Sequence, residues 1–199
     1  MNERLTAWFP LLLLTVLAGL TFWLDRFVQP TASVRGAAGR HDPDYFVDGL
    51  SAVRMGPDGK IKHTLSAGKM VHYPDDDSTH LQSPRFVNHA AAQAPVTITA
   101  EEALLSSEGE NIYFHNDVHV TRPPYADKSM LEMRTSYLHV IPDDNVARTD
   151  RAVTITDGNT IVSAVGLEWN SETRVLRLLS AVRGTYHDPN KSTRGVPGG

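Results

Sequence analysis

Between residues 41 and 187 apolar and polar side chains alternate with a period of two. Ile61, His63, Leu65 and Ala67 are separated by Lys62, Thr64 and Ser66; Val96, Ile98 and Ala100 by Thr97 and Thr99; Ile112 and Phe114 by Tyr113. Successive side chains of a strand point to opposite faces, so this pattern predicts strands with one dry and one wet side. It is interrupted at Gly56-Pro57-Asp58-Gly59, Pro74-Asp75-Asp76-Asp77, Pro142-Asp143-Asp144-Asn145 and Asn170-Ser171-Glu172-Thr173. Proline presets φ, and Asp, Asn and Gly accept the conformations that a reversal needs, so each interruption is a predicted turn. No helical stripe persists for three turns in this region, and the predicted class is all-β.

The exception stands at the start of the chain. Leu5 to Leu24 are twenty consecutive uncharged residues, which as a helix at ~1.5 Å per residue would reach ~30 Å, the thickness of a bilayer's hydrocarbon core. A cleaved signal peptide usually has an apolar core of only ~7 to 15 residues and a small-x-small end; here the stretch ends in the bulky Phe22, Trp23 and Leu24. It therefore reads as a retained transmembrane helix, residues 5–24, behind a short cytoplasmic head, residues 1–4. Arginines on both sides leave orientation undecided by charge, whereas the shortness of the head favours export of everything after Arg26. Thr15, Ala18 and Gly19 form a small-residue face on which another helix can pack closely. Residues 25–40 are small and polar and read as a linker, and residues 188–199, rich in glycine and proline, as a disordered tail. The β-region, residues 41–187, has the size of a single domain.

A loose internal repeat runs through that region. Ala67, Ala100, Thr135 and Ala164 recur with a spacing of roughly thirty residues, and Val87, Val120, Val153 and Val182 follow them at a similar offset. A strand-turn-strand unit with one apolar face cannot bury that face alone, so such units must stack into an elongated sheet structure.

Composition removes several chemistries. With no cysteine, disulfides, thiolate zinc sites and cysteine nucleophiles are excluded. The net charge of −4 is spread along the chain and offers no basic stripe for nucleic acid. The sequence contains no Gly-x-Ser-x-Gly elbow, His-Glu-x-x-His, phosphate loop or Gly-x-Gly-x-x-Gly, so catalysis is not expected. His115 and His119 invite a metal assignment, but on one strand they would lie ~13 Å apart, too far to share an ion unless the chain turns at Asn116-Asp117. Asp75-Asp76-Asp77 lacks the spacing of a calcium loop and reads as a solvated turn.

Several short motifs, taken in order behind a single anchor, resemble the lipopolysaccharide export protein family LptC. They are Asp42-Pro43-Asp44-Tyr45-Phe46, Leu65-Ser66-Ala67, His72-Tyr73-Pro74-Asp75-Asp76-Asp77, Thr149-Asp150 before Val153-Thr154-Ile155, and Gly166-Leu167. The resemblance implies a twisted open β-jellyroll of the OstA-like kind, with antiparallel sheets around an apolar groove, preceded by one transmembrane helix. It also implies an inner-membrane position beside the ABC transporter LptF/LptG with its ATPase LptB. Lipopolysaccharide would be passed to the soluble periplasmic partner LptA, and no cofactor or metal is implied.

Exposing an acyl chain to water is unfavourable by ~0.8 kcal/mol per CH₂, or roughly 10 kcal/mol for a dozen carbons, so a carrier needs continuous apolar cover. The inward positions expected to provide it are Ile61, Leu65, Ile98, Ile112, Phe114, Val118, Val120, Met133, Leu138, Val140, Val153, Ile155, Trp169, Leu176 and Leu178. The same residues equally suit a closed core. An open sheet leaves unpaired strand edges to which another chain can add. By the resemblance, Tyr45, Val47 and Leu50 would face the transporter, and Leu179, Val182 and Tyr186 would face LptA. The alternative is an envelope scaffold that docks partners by its strand edges and carries no lipid; a β-helical hydrolase would instead require stacked parallel coils.

Overall fold

The computed structural model describes residues 3–28, 41–89 and 94–187, which fall into two units divided after His41. The first is an α-helix, α1 (Glu3–Val28), which runs past both ends of the uncharged stretch. Its side chains are described for Trp8, Pro10 and residues 12–26. Leu12, Leu17, Leu20, Phe22 and Trp23 are all exposed on it, as are Thr15, Ala18 and Gly19. Among the described residues no helix is long and apolar enough to cross a membrane. Most of the predicted linker and the whole predicted tail lie outside the described residues.

The second unit contains eleven strands: β1 (Tyr45–Met55), β2 (Ile61–Tyr73), β3 (Ser78–Gln82), β4 (Arg85–Asn88), β5 (Val96–Thr99), β6 (Glu102–Leu105), β7 (Ile112–Arg122), β8 (Leu131–Ile141), β9 (Val146–Asp157), β10 (Thr160–Asn170) and β11 (Val175–Tyr186). Every pairing is antiparallel, which rules out the stacked parallel coils of a β-helix. The four predicted turns lie where the sequence puts them. Three further reversals among the described residues, at Ser106 to Asn111, across Pro123 to Met130 and at Asp157-Gly158-Asn159, were not marked by the alternation.

Neighbouring strands continue one another across a common corner. β3 and β4 pair with β2 in a single register and are broken only at Ser83-Pro84; β5 and β6 likewise continue each other across Ala100-Glu101. The longer strands turn the corner without stopping, and their pairing shifts there: between His115 and Val118, between Thr135 and His139, and between Val165 and Leu167. Such bulges bend a strand and re-aim its side chains. Positive φ at Ser83, Asn116, Asp117, Gly166 and Ala181 falls along the same line. The sheet is therefore creased into two layers.

One layer holds β4, β5 and the adjoining halves of β2 and β7 to β11; the other holds β3, β6 and the remaining halves. Phe86 of the first lies 6.5 Å from Phe114 of the second, ring centre to ring centre, so the apolar faces meet between the layers. Leu81, Val118, Leu138, Val153 and Leu167 are buried with them. The small residues of the sequence repeat mark the crease: Ala67, Thr135 and Ala164 are buried beside it, and Ala100 sits in the break between β5 and β6. Where two layers converge there is little room for a large side chain, which accounts for alanine and threonine at these positions.

Gly166 shows what the crease demands. Its φ is +80°, and a Cβ placed there would lie 2.8 Å from Leu179 Cδ1 and 3.0 Å from Leu179 Cβ. Gly166→Ala is expected to lower stability by roughly 1–3 kcal/mol, because it adds left-handed strain and a steric conflict at one point. Urea unfolding of the full chain, followed by far-UV circular dichroism, checks this; an unchanged midpoint would show that the corner tolerates a side chain.

Candidate functional site

Between the layers, toward β10 and β11, lies a cavity of about 350 Å³, within the range of small-ligand sites. From the first layer it is lined by Val96, Ile98, Val120, Leu131, Met133 and Ile155, and from the second by Leu138, Ala147, Leu167, Trp169 and Leu176. Its polar lining consists of Arg122, Tyr125, Lys128, Ser171 and Arg174. A narrow extension of about 20 Å³ shares Val96, Ile98, Ala147, Trp169 and Ser171 with it and continues to Phe86 and Pro142. The apolar space is thus a channel with one wide and one constricted end.

At the constricted end the layers are tied together. Asp143, in the turn after β8, lies 3.0 Å from the Arg54 guanidinium and 3.7 Å from Lys62 Nζ, joining β1 and β2 of one layer to the far lip of the other. These groups are half exposed, so each pair adds at most about 1 kcal/mol, but their position makes them a latch. Beneath them His63 faces inward and stacks on Phe86 at 5.2 Å. Burial first, then the Lys62 and Arg54 charges, lower its pKa to about 4 against the smaller pull of Asp143. The ring is therefore neutral at physiological pH, as an apolar wall requires.

The sequence-predicted groove residues divide into three groups. Ile98, Val120, Met133, Leu138, Ile155, Trp169 and Leu176 line the cavity. Ile112, Phe114, Val118, Val140 and Val153 are buried; of these Val140 touches the narrow extension, while Phe114 and Val118 are fully enclosed by their neighbours. Leu65 and Leu178 are half-buried and pack against the core, and Ile61 stands exposed at the start of β2. The predicted lining omits Val96, although it shares the parity of Ile98, and also Leu131, Ala147 and Leu167. Leu167 was visible as the residue after the crease glycine, whereas Leu131 and Ala147 follow turns where the period of two restarts.

At the two outer edges, β1 pairs only with β2 and β11 only with β10 among the described residues. Tyr45, Leu179, Val182 and Tyr186 are exposed there. Val47 is half-buried, and Leu50 packs against the core, because the turn of β1 at Gly49, with φ +72°, directs it inward.

The start of β1 is held by a histidine that the sequence did not single out. His72 Nδ1 lies 2.8 Å from Asp44 Oδ1, His72 Nε2 lies 3.1 Å from Asp77 Oδ1, and Tyr45 stacks on the ring at 4.7 Å. The hydrogen bond to Asp44 chiefly, and that to Asp77 next, raise the pKa of His72. Bonds from Ser107 first and His72 second lower that of Asp77. The aspartate run is therefore not merely a solvated turn, since Asp77 contributes to the clamp. His115 and His119 sit on opposite sides of the bend at Asn116-Asp117, where His115 meets the Tyr137 ring and His119 faces Glu132 at 3.9 Å.

A larger hollow, about 760 Å³ and lined by His115, Tyr137, His139, Arg148 and Asp150 among others, lies on the outer side of the crease. Its polar groups are engaged with one another: Arg148 Nε donates to His139 Nδ1 at 3.1 Å, and His139 Nε2 lies 2.8 Å from Asn111 Oδ1. Burial, then Arg148, lower the pKa of His139, which fits this neutral tautomer. Its lining is largely polar, unlike that of the apolar space between the layers.

The family model described as lipopolysaccharide-assembly, LptC-related, matches residues 11–187. Among solved structures, the chain is similar in fold to LptH, described as the LptA-homologous periplasmic component of the conserved lipopolysaccharide transport device from Pseudomonas aeruginosa. That similarity has a TM-score of 0.50 at 6% identity and covers 63% of this chain and 95% of that one. A search of curated proteins gave no match.

The clamp yields a pH prediction with a definite sign. Because the folded pKa of His72 lies above its unfolded value of 6.5, its stabilisation is complete below pH ~6.5 and is lost as pH rises through the raised folded value. The Asp77 contribution runs the other way and disappears only in acid, below the usual carboxylate range. Amide exchange in residues 45–48, corrected for intrinsic rates, is expected to accelerate as pH rises above neutrality and to lose that pH dependence in His72→Asn. A pH-independent protection factor in the parent chain would remove the clamp from the account.

Proposed function

The chain belongs to the LptC-related family of lipopolysaccharide-assembly proteins, and from that premise we propose that it is an inner-membrane-anchored carrier. In this reading it accepts lipopolysaccharide from the LptF/LptG transporter, driven by LptB, and passes it to periplasmic LptA. The family is a transport component, not an enzyme, and participation in lipopolysaccharide transport follows from membership. The observation that carries the finer reading is the apolar cavity between the layers, with Met133, Ile155, Leu138 and Trp169 in its walls. Acyl chains are the hydrocarbon that most needs such cover.

Anchoring is proposed from the uncharged run Leu5–Leu24 and the aromatic residues at its ends, which suit the two interfaces of a bilayer. Transport energy must come from a partner, and Thr15, Ala18 and Gly19 on α1 offer a close-packing face for the transporter. The free edge of β1 then serves the transporter and that of β11 serves LptA, each by strand addition.

Photocrosslinking side chains at Met133 and Ile155, in the full chain reconstituted with its transporter, are expected to label lipopolysaccharide under ATP turnover. Protein adducts alone at both positions would instead support a scaffold without cargo. Removing Leu176 to Tyr186 is expected to abolish capture of soluble LptA while membrane association persists; retained capture would move that joint elsewhere.

A further inference from the structure

The mouth of the cavity differs from its walls. Every charged residue lining it is a cation: Arg122 at the end of β7, Lys128 in the reversal before β8, and Arg174 in the turn before β11. The first two belong to one layer's lip and the third to the other's, so positive charge flanks the opening from both sides. Arg122 is also held ready. Its Nη2 donates to the Ser129 carbonyl at 3.0 Å, and its guanidinium lies 5.2 Å from the centre of the Tyr125 ring. Its Nε is buried with no hydrogen-bond partner. A buried, unsatisfied donor on a charged group is costly and asks for an acceptor.

We infer that this rim is a headgroup site, in which Arg122, Lys128 and Arg174 take the phosphate groups of an acylated lipid whose chains lie in the cavity. The inference rests on the carrier reading and adds to it the chemistry of the polar end. Phosphate suits the site by charge and by its acceptor oxygens, and arginine binds it in a bidentate fork. The attached chains distinguish the occupant from a free anion, because the cations stand directly beside Leu131, Met133 and Leu176. Recognition at the rim would also fix which end of the lipid enters.

The test uses the full chain in nanodiscs with a photocrosslinking side chain at Met133, titrated with bisphosphorylated lipid A and with fully dephosphorylated lipid A. The phosphorylated lipid is expected to reach half-maximal labelling at about tenfold lower concentration, the scale of one or two charged hydrogen bonds. The triple variant R122Q/K128Q/R174Q is expected to lose that preference while retaining its labelling by the dephosphorylated lipid. Because Arg122 also braces the reversal at Ser129, the double variant K128Q/R174Q provides a second reading and should lose part of the preference. Equal labelling of the parent chain by the two lipids, or a preference untouched in both variants, overturns the headgroup site and leaves the carrier standing. Displacement of the lipid by millimolar inorganic phosphate would assign the rim to a free anion and overturn it likewise. No labelling by either lipid overturns the carrier reading itself, and this inference with it.

Discussion

The structure depends on the requirement that consecutive strands turn one corner together. A backbone ladder must keep its hydrogen bonds through the bend, since unpaired buried amides and carbonyls are costly. It does so with one-residue slips, as between His115 and Val118 or between Val165 and Leu167. Left-handed backbone at Asn116, Asp117 and Gly166 supplies the change of direction. Once the corner exists, inward side chains from both layers face each other, and everything apolar in the unit follows from that meeting. Close to the crease they interlock, with Phe114 and Val118 fully enclosed; farther from it the layers part, and the space becomes a cavity.

The cavity is therefore the same packing as the core at a greater distance from the hinge line. This explains why the groove and core residues could not be separated by sequence. Val118 and Val120 have the same residue type and the same inward parity, yet only Val120 lines the open space. What separates them is distance from Asn116-Asp117, which is a property of the fold rather than of the pattern. Similarly, Ile61 and His63 share a parity, but Ile61 stands exposed at the strand's start while His63 is buried under the latch.

Much else was legible. The period of two gave the strands, the proline-aspartate clusters gave three of the reversals, and Asn170-Ser171-Glu172-Thr173 gave a fourth. The small residues Ala67, Thr135 and Ala164 carried the position of the crease in plain view, although their meaning emerged only when the layers were seen to converge on them. The corners themselves left a weaker trace: a slip of one residue merely resets the alternation, and Ser83-Pro84 looks like an ordinary loop. The cationic rim left none, because Arg122, Lys128 and Arg174 are scattered through the chain and are brought to one opening only by the antiparallel order of β7, β8, β10 and β11. The His72 clamp was hidden in part for the same reason, as Asp77 lies in the turn just after His72 but Asp44, before β1, is brought to it only by the pairing of β1 with β2.

One consequence follows from the parity of the sheet. If β3 with β4 and β5 with β6 are each counted as one strand interrupted at the crease, the ordered sheet from β1 to β11 has an odd number of members, all alternating in direction. Its first and last members therefore point the same way. A neighbouring jellyroll that prolongs the channel without turning over must offer a strand running parallel, not antiparallel, to the edge it joins. Parallel ladders have slanted bonds and are slightly less stable per residue, so each seam of such an assembly would be weaker, residue for residue, than the antiparallel pairings inside its modules. A bridge built this way would come apart between units before any unit lost its shape.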